Sequence, residues 1–234
     1  MKYVSTRGSA PEKTFSEALL AGLADDGGLY VPDSWPSLEG SGNGNYLETA
    51  LAVMSLFTSE SLNHATLKKI IDEAYDSFDV QEIVSLIELD EQIFLMELFH
   101  GPTLAFKDIA LQLVGGLFDY ELNSRGEHLT IVGATSGDTG SAAIEACKDR
   151  ENLDIVIFHP SNRVSEVQRR QMTTVDSFNV HNVAIEGTFD DCQDLVKAMF
   201  NDLEYRNKLK LGAVNSINWA RVMAQIVYYV VASE

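Results

Sequence analysis

Leu129-Thr130-Ile131-Val132-Gly133-Ala134 is the run that most limits what this chain can become. It is apolar or β-branched at nearly every position and carries no charge, and it is too short for a helix of ordinary length. With both faces apolar, it fits a strand covered on both sides, as in a parallel sheet. Thr135-Ser136-Gly137-Asp138-Thr139-Gly140-Ser141 follows at once. That glycine-rich turn leads into a helical pattern from Thr139 to Arg150. The alternation continues with a strand over Leu153 to His159, a helix over Val164 to Thr174 and a strand over Phe178 to Ile185. Thr188 with Asp191 then caps a helix running to about Asn207, and Asn218 opens the last helix. Strands alternating with helices predict βαβ units and a mostly parallel sheet, so the fold class is α/β.

Upstream the texture differs. Residues 1–80 read as helical with turns, and the α/β pattern occupies 81–234. Thr14 with Glu17 and Asn45 with Glu48 form capping-box patterns. Leu29-Tyr30-Val31-Pro32 is a short extended piece, and Gly40 to Gly44 reads as a flexible loop. Leu67, Ile70, Ile71, Ala74, Tyr75 and Phe78 make a core-facing helical stripe. Ile83 to Leu89 and Gln92 to Phe99 read as two strands.

Composition excludes several classes. A net charge of −18 argues against nucleic acid, which needs clustered Lys and Arg. No apolar run is long enough to span a bilayer, and no secretory pattern opens the chain. Cys147 and Cys192 lie in separate helical patterns without a second cysteine or a histidine at ligand spacing. They read as free buried thiols in a reducing compartment, with no metal site.

Phe99-His100-Gly101-Pro102-Thr103-Leu104-Ala105-Phe106-Lys107-Asp108 is the other stretch with chemical content. Lys107 follows an apolar triplet. In a partly dry pocket, desolvation favours its neutral amine, which forms a Schiff base with an aldehyde. The structural alternative is a lysine paired with Asp108 at a helix start. His100 reads either as a proton carrier or as a packed imidazole. The Thr135 to Ser141 turn sits where open α/β sheets bind ligands, beyond the carboxyl ends of the strands. Its glycines and helix start suit an anion, and equally suit a plain tight turn. Arg163, Arg169 and Arg170 form the densest basic cluster, fit either for a phosphate or for surface carboxylates. In Asn215-Ser216-Ile217-Asn218-Trp219-Ala220-Arg221, Ser216 and Asn218 can cap the last helix, Trp219, Val222, Ile226 and Tyr229 read as core, and Arg221 faces either a phosphate pocket or a structural partner.

Four stretches together resemble the threonine synthase family of fold-type II pyridoxal-phosphate enzymes: Tyr3 to Gly8, His100 to Asp108, Thr135 to Gly140, and Asn215 to Arg221. The resemblance implies a threonine synthase N-terminal domain over 1–80. Over 81–234 it implies the first part of a three-layer α/β/α catalytic domain of tryptophan synthase beta type. It implies a cytoplasmic enzyme that turns O-phospho-L-homoserine and water into L-threonine and phosphate. Lys107 would carry pyridoxal 5'-phosphate as an imine and then move protons. The Ser136, Gly137, Thr139 and Gly140 loop would grip the substrate carboxylate, with Asp138 facing the cofactor. Arg163, Asn218 and Arg221 would complete the substrate site. Two alternatives remain: a phospho-lyase or hydroxy-amino-acid lyase of the same fold type, and a non-catalytic chain that binds a ligand or partner.

Family members hold the cofactor phosphate in a Gly-Asn-Phe-Gly loop C-terminal to the last matched block. This sequence contains no such loop. The expectation is weak cofactor binding by these residues alone, and self-association through surface that the family's second half would cover.

Overall fold

The computed structural model describes residues 1–38, 44–78, 82–213 and 218–233. Residues 40–43 of the expected flexible loop, the expected domain boundary at 80 and 81, and Asn215 to Ile217 of the last matched block lie outside the described residues. The chain forms two compact units. The first is Met1–Gly116 with Ser216–Glu234, and the second is Leu117–Asn215.

The second unit holds a four-stranded parallel sheet of β5 (Leu129–Ala134), β6 (Leu153–Pro160), β7 (Val180–Ile185) and β8 (Leu211–Gly212), in the order β7-β6-β5-β8. The apolar run that opened the sequence is central strand β5, with Ile131 and Val132 buried on opposite faces. The chain steps from β5 through α5 (Asp138–Cys147) to β6, and through α6 (Glu166–Thr173) to β7. It then crosses back through α7 (Phe189–Asn201) and α8 (Leu203–Leu209) to β8 on the far edge. Right-handed crossovers in opposite directions put α5 and α6 on one face and α7 on the other. Accordingly Val132, Phe158 and Leu211 pack with Cys192, and around them Val156, Val183, Val196 and Phe200. The direction of travel reverses beside β5, so the Thr135 to Gly140 turn stands at the topological switch point.

One helix expected from Thr188 to about Asn207 is two. Asp202 takes an extended ψ of 96°, ends α7, and accepts the Tyr205 amide to start α8. A short Asx-type side chain that competes for backbone donors breaks the helix there.

In the first unit, β1 (Tyr3–Ser5) pairs antiparallel with β2 (Tyr30–Pro32). Asp26 builds this pair. Its carboxylate accepts from the Ser5 hydroxyl at 2.7 Å, the Gly28 amide at 2.9 Å and the Ser9 and Ala10 amides at 2.9 and 3.0 Å. The Ser5 hydroxyl above all, with those amides, holds the carboxyl down to about 2. Thr6 Oγ1 accepts the Leu29 amide, and Arg7 donates to the Asp26 carbonyl. The first matched block therefore ties the N-terminal strand to the Asp25 to Gly28 turn.

Helices α1 (Phe15–Ala21), α2 (Tyr46–Thr58) and α3 (His64–Tyr75) follow, the first two opened by the Thr14/Glu17 and Asn45/Glu48 capping boxes. The expected α3 stripe is buried, as is Phe78 beyond the helix. Helix α9 (Trp219–Ser233) packs on α2 and α1. Its Trp219 ring lies 5.4 Å from Phe57 and 6.3 Å from Tyr3. The buried face is Trp219, Ala220, Met223, Ala224, Val227 and Tyr228, so the expected stripe through Val222, Ile226 and Tyr229 is rotated by about one residue. Tyr229 is 61% exposed, because two small alanines let α9 approach its neighbours on the other side. Strands β3 (Ser85–Asp90) and β4 (Ile93–Glu97) form a hairpin that leads directly to the Lys107 stretch.

Candidate active site

The candidate residues lie in both units, and those of each unit are described separately. In the first, the chain leaves β4, turns at Gly101-Pro102, and enters α4 (Lys107–Arg125) with Lys107 as the first helical residue. Lys107 is half-buried, and its Nζ lies 5.5 Å from the centroid of the Phe106 ring. Asp108 is fully buried. Its Oδ2 accepts the Thr103 amide at 2.8 Å and the Ala105 amide at 3.4 Å, and its Oδ1 accepts the Thr103 hydroxyl at 2.7 Å. These bonds hold Leu104 at a φ of 61°, a left-handed conformation that costs a β-carbon residue energy. Gly101 is required as well, since a β-carbon there would run into Asp108.

His100 closes the other end of the stretch. Its Nε2 is 3.3 Å from both the Ser85 hydroxyl and Glu97 Oε2, and Ser85 donates to Glu97 at 3.0 Å. The Phe99 ring lies 4.9 Å from the imidazole.

In the second unit, Gly137 caps α5 with a φ of 149°, open to glycine and strained for any other residue. A side chain there would also collide with Gln168 of α6. Thr135 organises the turn: its hydroxyl accepts the Gly137 amide at 3.0 Å and the Gly140 amide at 2.8 Å. Asp138 Oδ1 accepts the Thr139 amide at 2.8 Å. Ser136 is exposed at the tip, while Asp138 and Thr139 are half-buried. The loop is thus pre-shaped by its own oxygens, with Ser136 presented outward.

The remaining candidates separate. Arg163 is exposed after β6; the Thr188 amide and hydroxyl chiefly hold the Asp191 carboxyl low, and the Arg163 charge adds a smaller push in the same direction. Arg169 and Arg170 both clamp Glu166, at 2.9 and 2.8 Å, which holds that carboxyl below the usual range. Asn218 is buried: its Nδ2 donates to the Leu19 carbonyl at 2.9 Å, and its Oδ1 caps α9 by accepting the Ala220 amide at 3.0 Å. Its polar atoms serve the fold of the first unit. Arg221 is buried on α9, and its charge offsets part of the burial that pushes the Tyr228 hydroxyl up to about 12.

Reading the sequence assigned no individual role to Thr103, Thr135 or Gln168. A threonine directly between a strand and a glycine cap is a local hydroxyl-to-amide signal that could have found Thr135. Gln168 had none, because its contact depends on how α6 packs. Burial pushes the Cys147 thiol up to about 12, which suits an inert core residue. Among the described residues no group of His, Cys, Asp or Glu is arranged to hold a metal ion, and no helix is long and apolar enough to cross a membrane.

An aldehyde cofactor needs a primary amine fixed in a partly desolvated place. Lys107, half-buried on a loop locked by Asp108, meets that requirement, so the residues present fit the aldehyde end of pyridoxal phosphate.

Comparison with known proteins bears on the family of the chain. Residues 2–75 match the family described as threonine synthase N terminus, and residues 80–234 match that of pyridoxal-phosphate dependent enzymes. The threonine synthase of Pseudomonas aeruginosa is 56% identical over 234 residues, covering 98% of this chain and 50% of that protein. The threonine synthase of Schizosaccharomyces pombe is 46% identical, covering 98% and 47%. The structure of pyridoxal-phosphate-bound threonine synthase from Brucella melitensis superposes with a TM-score of 0.95 at 55% identity, over 100% of this chain and 51% of that one. The chain spans about half the length of the relatives it matches. It belongs to the pyridoxal-phosphate dependent enzymes and corresponds to the N-terminal part of the threonine synthases it resembles.

Proposed function

We propose that these residues supply the lysine-bearing part of a threonine synthase, which converts O-phospho-L-homoserine and water to L-threonine and phosphate. The observation that carries this reading is half-buried Lys107 at the start of α4, on a backbone locked by Asp108 and within a segment matching the pyridoxal-phosphate family. Bound there, pyridoxal phosphate supplies an electron sink for the substrate's α-carbon.

The roles proposed for these residues are as follows. Lys107 Nζ would hold the cofactor by its aldehyde and would be the amine that moves protons at the substrate carbons. The Ser136 hydroxyl, with Gly137, Thr139 and Gly140 behind it, receives the substrate carboxylate, and Asp138 is assigned to the cofactor. Arg163 and Arg221 are the cations proposed for the substrate phosphate, and a local positive potential is needed because the chain carries −18 overall. Asn218 enters this site as the residue that starts α9 and so places Arg221. The proposed domains are 1–80 and 81–234, the proposed setting is the cytoplasm, and the partner is a small molecule rather than nucleic acid.

The test replaces the matched half of the Pseudomonas aeruginosa relative with these 234 residues. Equal release of phosphate and threonine supports the proposal. Phosphate without threonine points to a phospho-lyase. Borohydride reduction that marks another lysine in place of Lys107 removes the assignment.

A further inference from the structure

We propose that Asp108 is a positioning residue for Lys107, acting through Thr103 and Gly101 and touching neither cofactor nor substrate. This deepens the reading of Lys107 as the cofactor lysine and rests on it.

A carboxylate with no solvent exposure, one residue along from a working amine, is an expensive thing to bury. Here it does not serve simply as a counter-ion. It gathers the Thr103 amide, the Thr103 hydroxyl and the Ala105 amide, all N-terminal to Lys107. Two backbone bonds tighten the same loop: Leu104 N–H to the Gly101 carbonyl and Asp108 N–H to the Ala105 carbonyl, each at 3.0 Å. The absent side chain of Gly101 is what lets the Asp108 β-carbon close against the turn. The strain at Leu104 persists because this set of bonds over-determines the loop. Downstream, α4 is held by the Tyr75 hydroxyl, which donates to the Ile109 carbonyl at 3.0 Å. Lys107 therefore leaves a backbone fixed on both sides, which reduces the freedom its amine must lose on reacting.

The experiment uses carbon-13 reductive methylation of the chain, reading the dimethyl-lysine resonance of Lys107 against that of exposed Lys69. A parallel sample is treated with pyridoxal phosphate and borohydride and mapped by peptide. Thr103→Val keeps the Asp108 charge and removes one of its bonds, whereas Asp108→Asn removes the charge itself. Expected in Thr103→Val is a Lys107 resonance displaced toward that of Lys69, with cofactor labelling of Lys107 reduced roughly tenfold relative to the other lysines. Thr103→Ser restores both. An unchanged resonance and unchanged labelling in a Thr103→Val chain of parental circular dichroism overturn the proposal, as does failure of Thr103→Ser to restore them. If Asp108→Asn does not fold, the Thr103 pair carries the test alone. If the parent shows no labelling at Lys107 while its resonance still moves in Thr103→Val, the cofactor reading fails and the positioning role stands.

Discussion

The side-chain amide of Asn218 donates to the carbonyl oxygen of Leu19, 199 positions earlier, while its oxygen caps the helix that Trp219 begins. One buried side chain thus joins the end of α1 to the start of α9.

Asn218→Ala leaves the Leu19 carbonyl and the Ala220 amide without these partners. The expected cost is about 2–4 kcal/mol of stability, combining a buried bond and a lost cap. Chemical denaturation followed by tryptophan fluorescence measures it. A loss below about 0.5 kcal/mol contradicts the closing role.

The glycine turn after β5 separates stability from binding. Gly137→Ala places a β-carbon at a φ of 149° and against Gln168, so it lowers the melting temperature, by strain on the order of 1–3 kcal/mol. Ser136→Ala alters an exposed tip and leaves the melt unchanged. In the chimaera with the Pseudomonas aeruginosa half, Ser136→Ala raises KM for O-phospho-L-homoserine. Parental kinetics in Ser136→Ala would remove the loop from the substrate site.

Asp26 sets an acid limb. Its folded carboxyl is held at about 2 against an ordinary 3.8, so its contribution is fully present above the ordinary value and lost as pH falls through the folded one. Stability of the first unit is expected to decline over that window. Asp26→Asn flattens this part of the profile and costs stability at neutral pH. Acid titrations of the two proteins by circular dichroism check it, and superimposable profiles would refute it.

The β3–β4 hairpin exposes Leu89 at 62%, Ile93 at 58% and Phe94 at 58%. Surface of this kind associates. Purified as 234 residues, the chain is expected to self-associate, and Leu89→Lys with Phe94→Lys shifts it toward monomer in sedimentation velocity. Identical sedimentation in parent and variant counts against the hairpin.

What the sequence made legible was local. Thr14/Glu17, Asn45/Glu48 and Thr188/Asp191 are readable as caps because both partners lie within one turn. The α3 stripe and the strand–turn–helix at Thr135 are readable for the same reason. Strand β1 was missed, since three residues paired with Tyr30–Pro32 carry no periodicity of their own. Lys107 was marked by its neighbours, but the partners of Asp108 depend on a left-handed Leu104 that no residue type announces. Helix α9 shows a different limit. Its apolar residues encircle much of the helix, so period alone could not choose between the Tyr228 and Tyr229 sides.

The discontinuity of the first unit has a consequence for how the molecule is made. Leu117–Asn215 is an unbroken segment and contains the four strands described for its sheet. It can condense as soon as β8 clears the ribosome. The older N-terminal helices cannot finish at that moment, because the helix that packs on α1 and α2 has not yet emerged. Until that helix is synthesised, Phe57, Tyr3 and the Leu19 carbonyl stand without Trp219 and Asn218. The part translated first waits for a helix encoded after the whole second unit, and that interval is when a nascent chain of this design is open to chaperones.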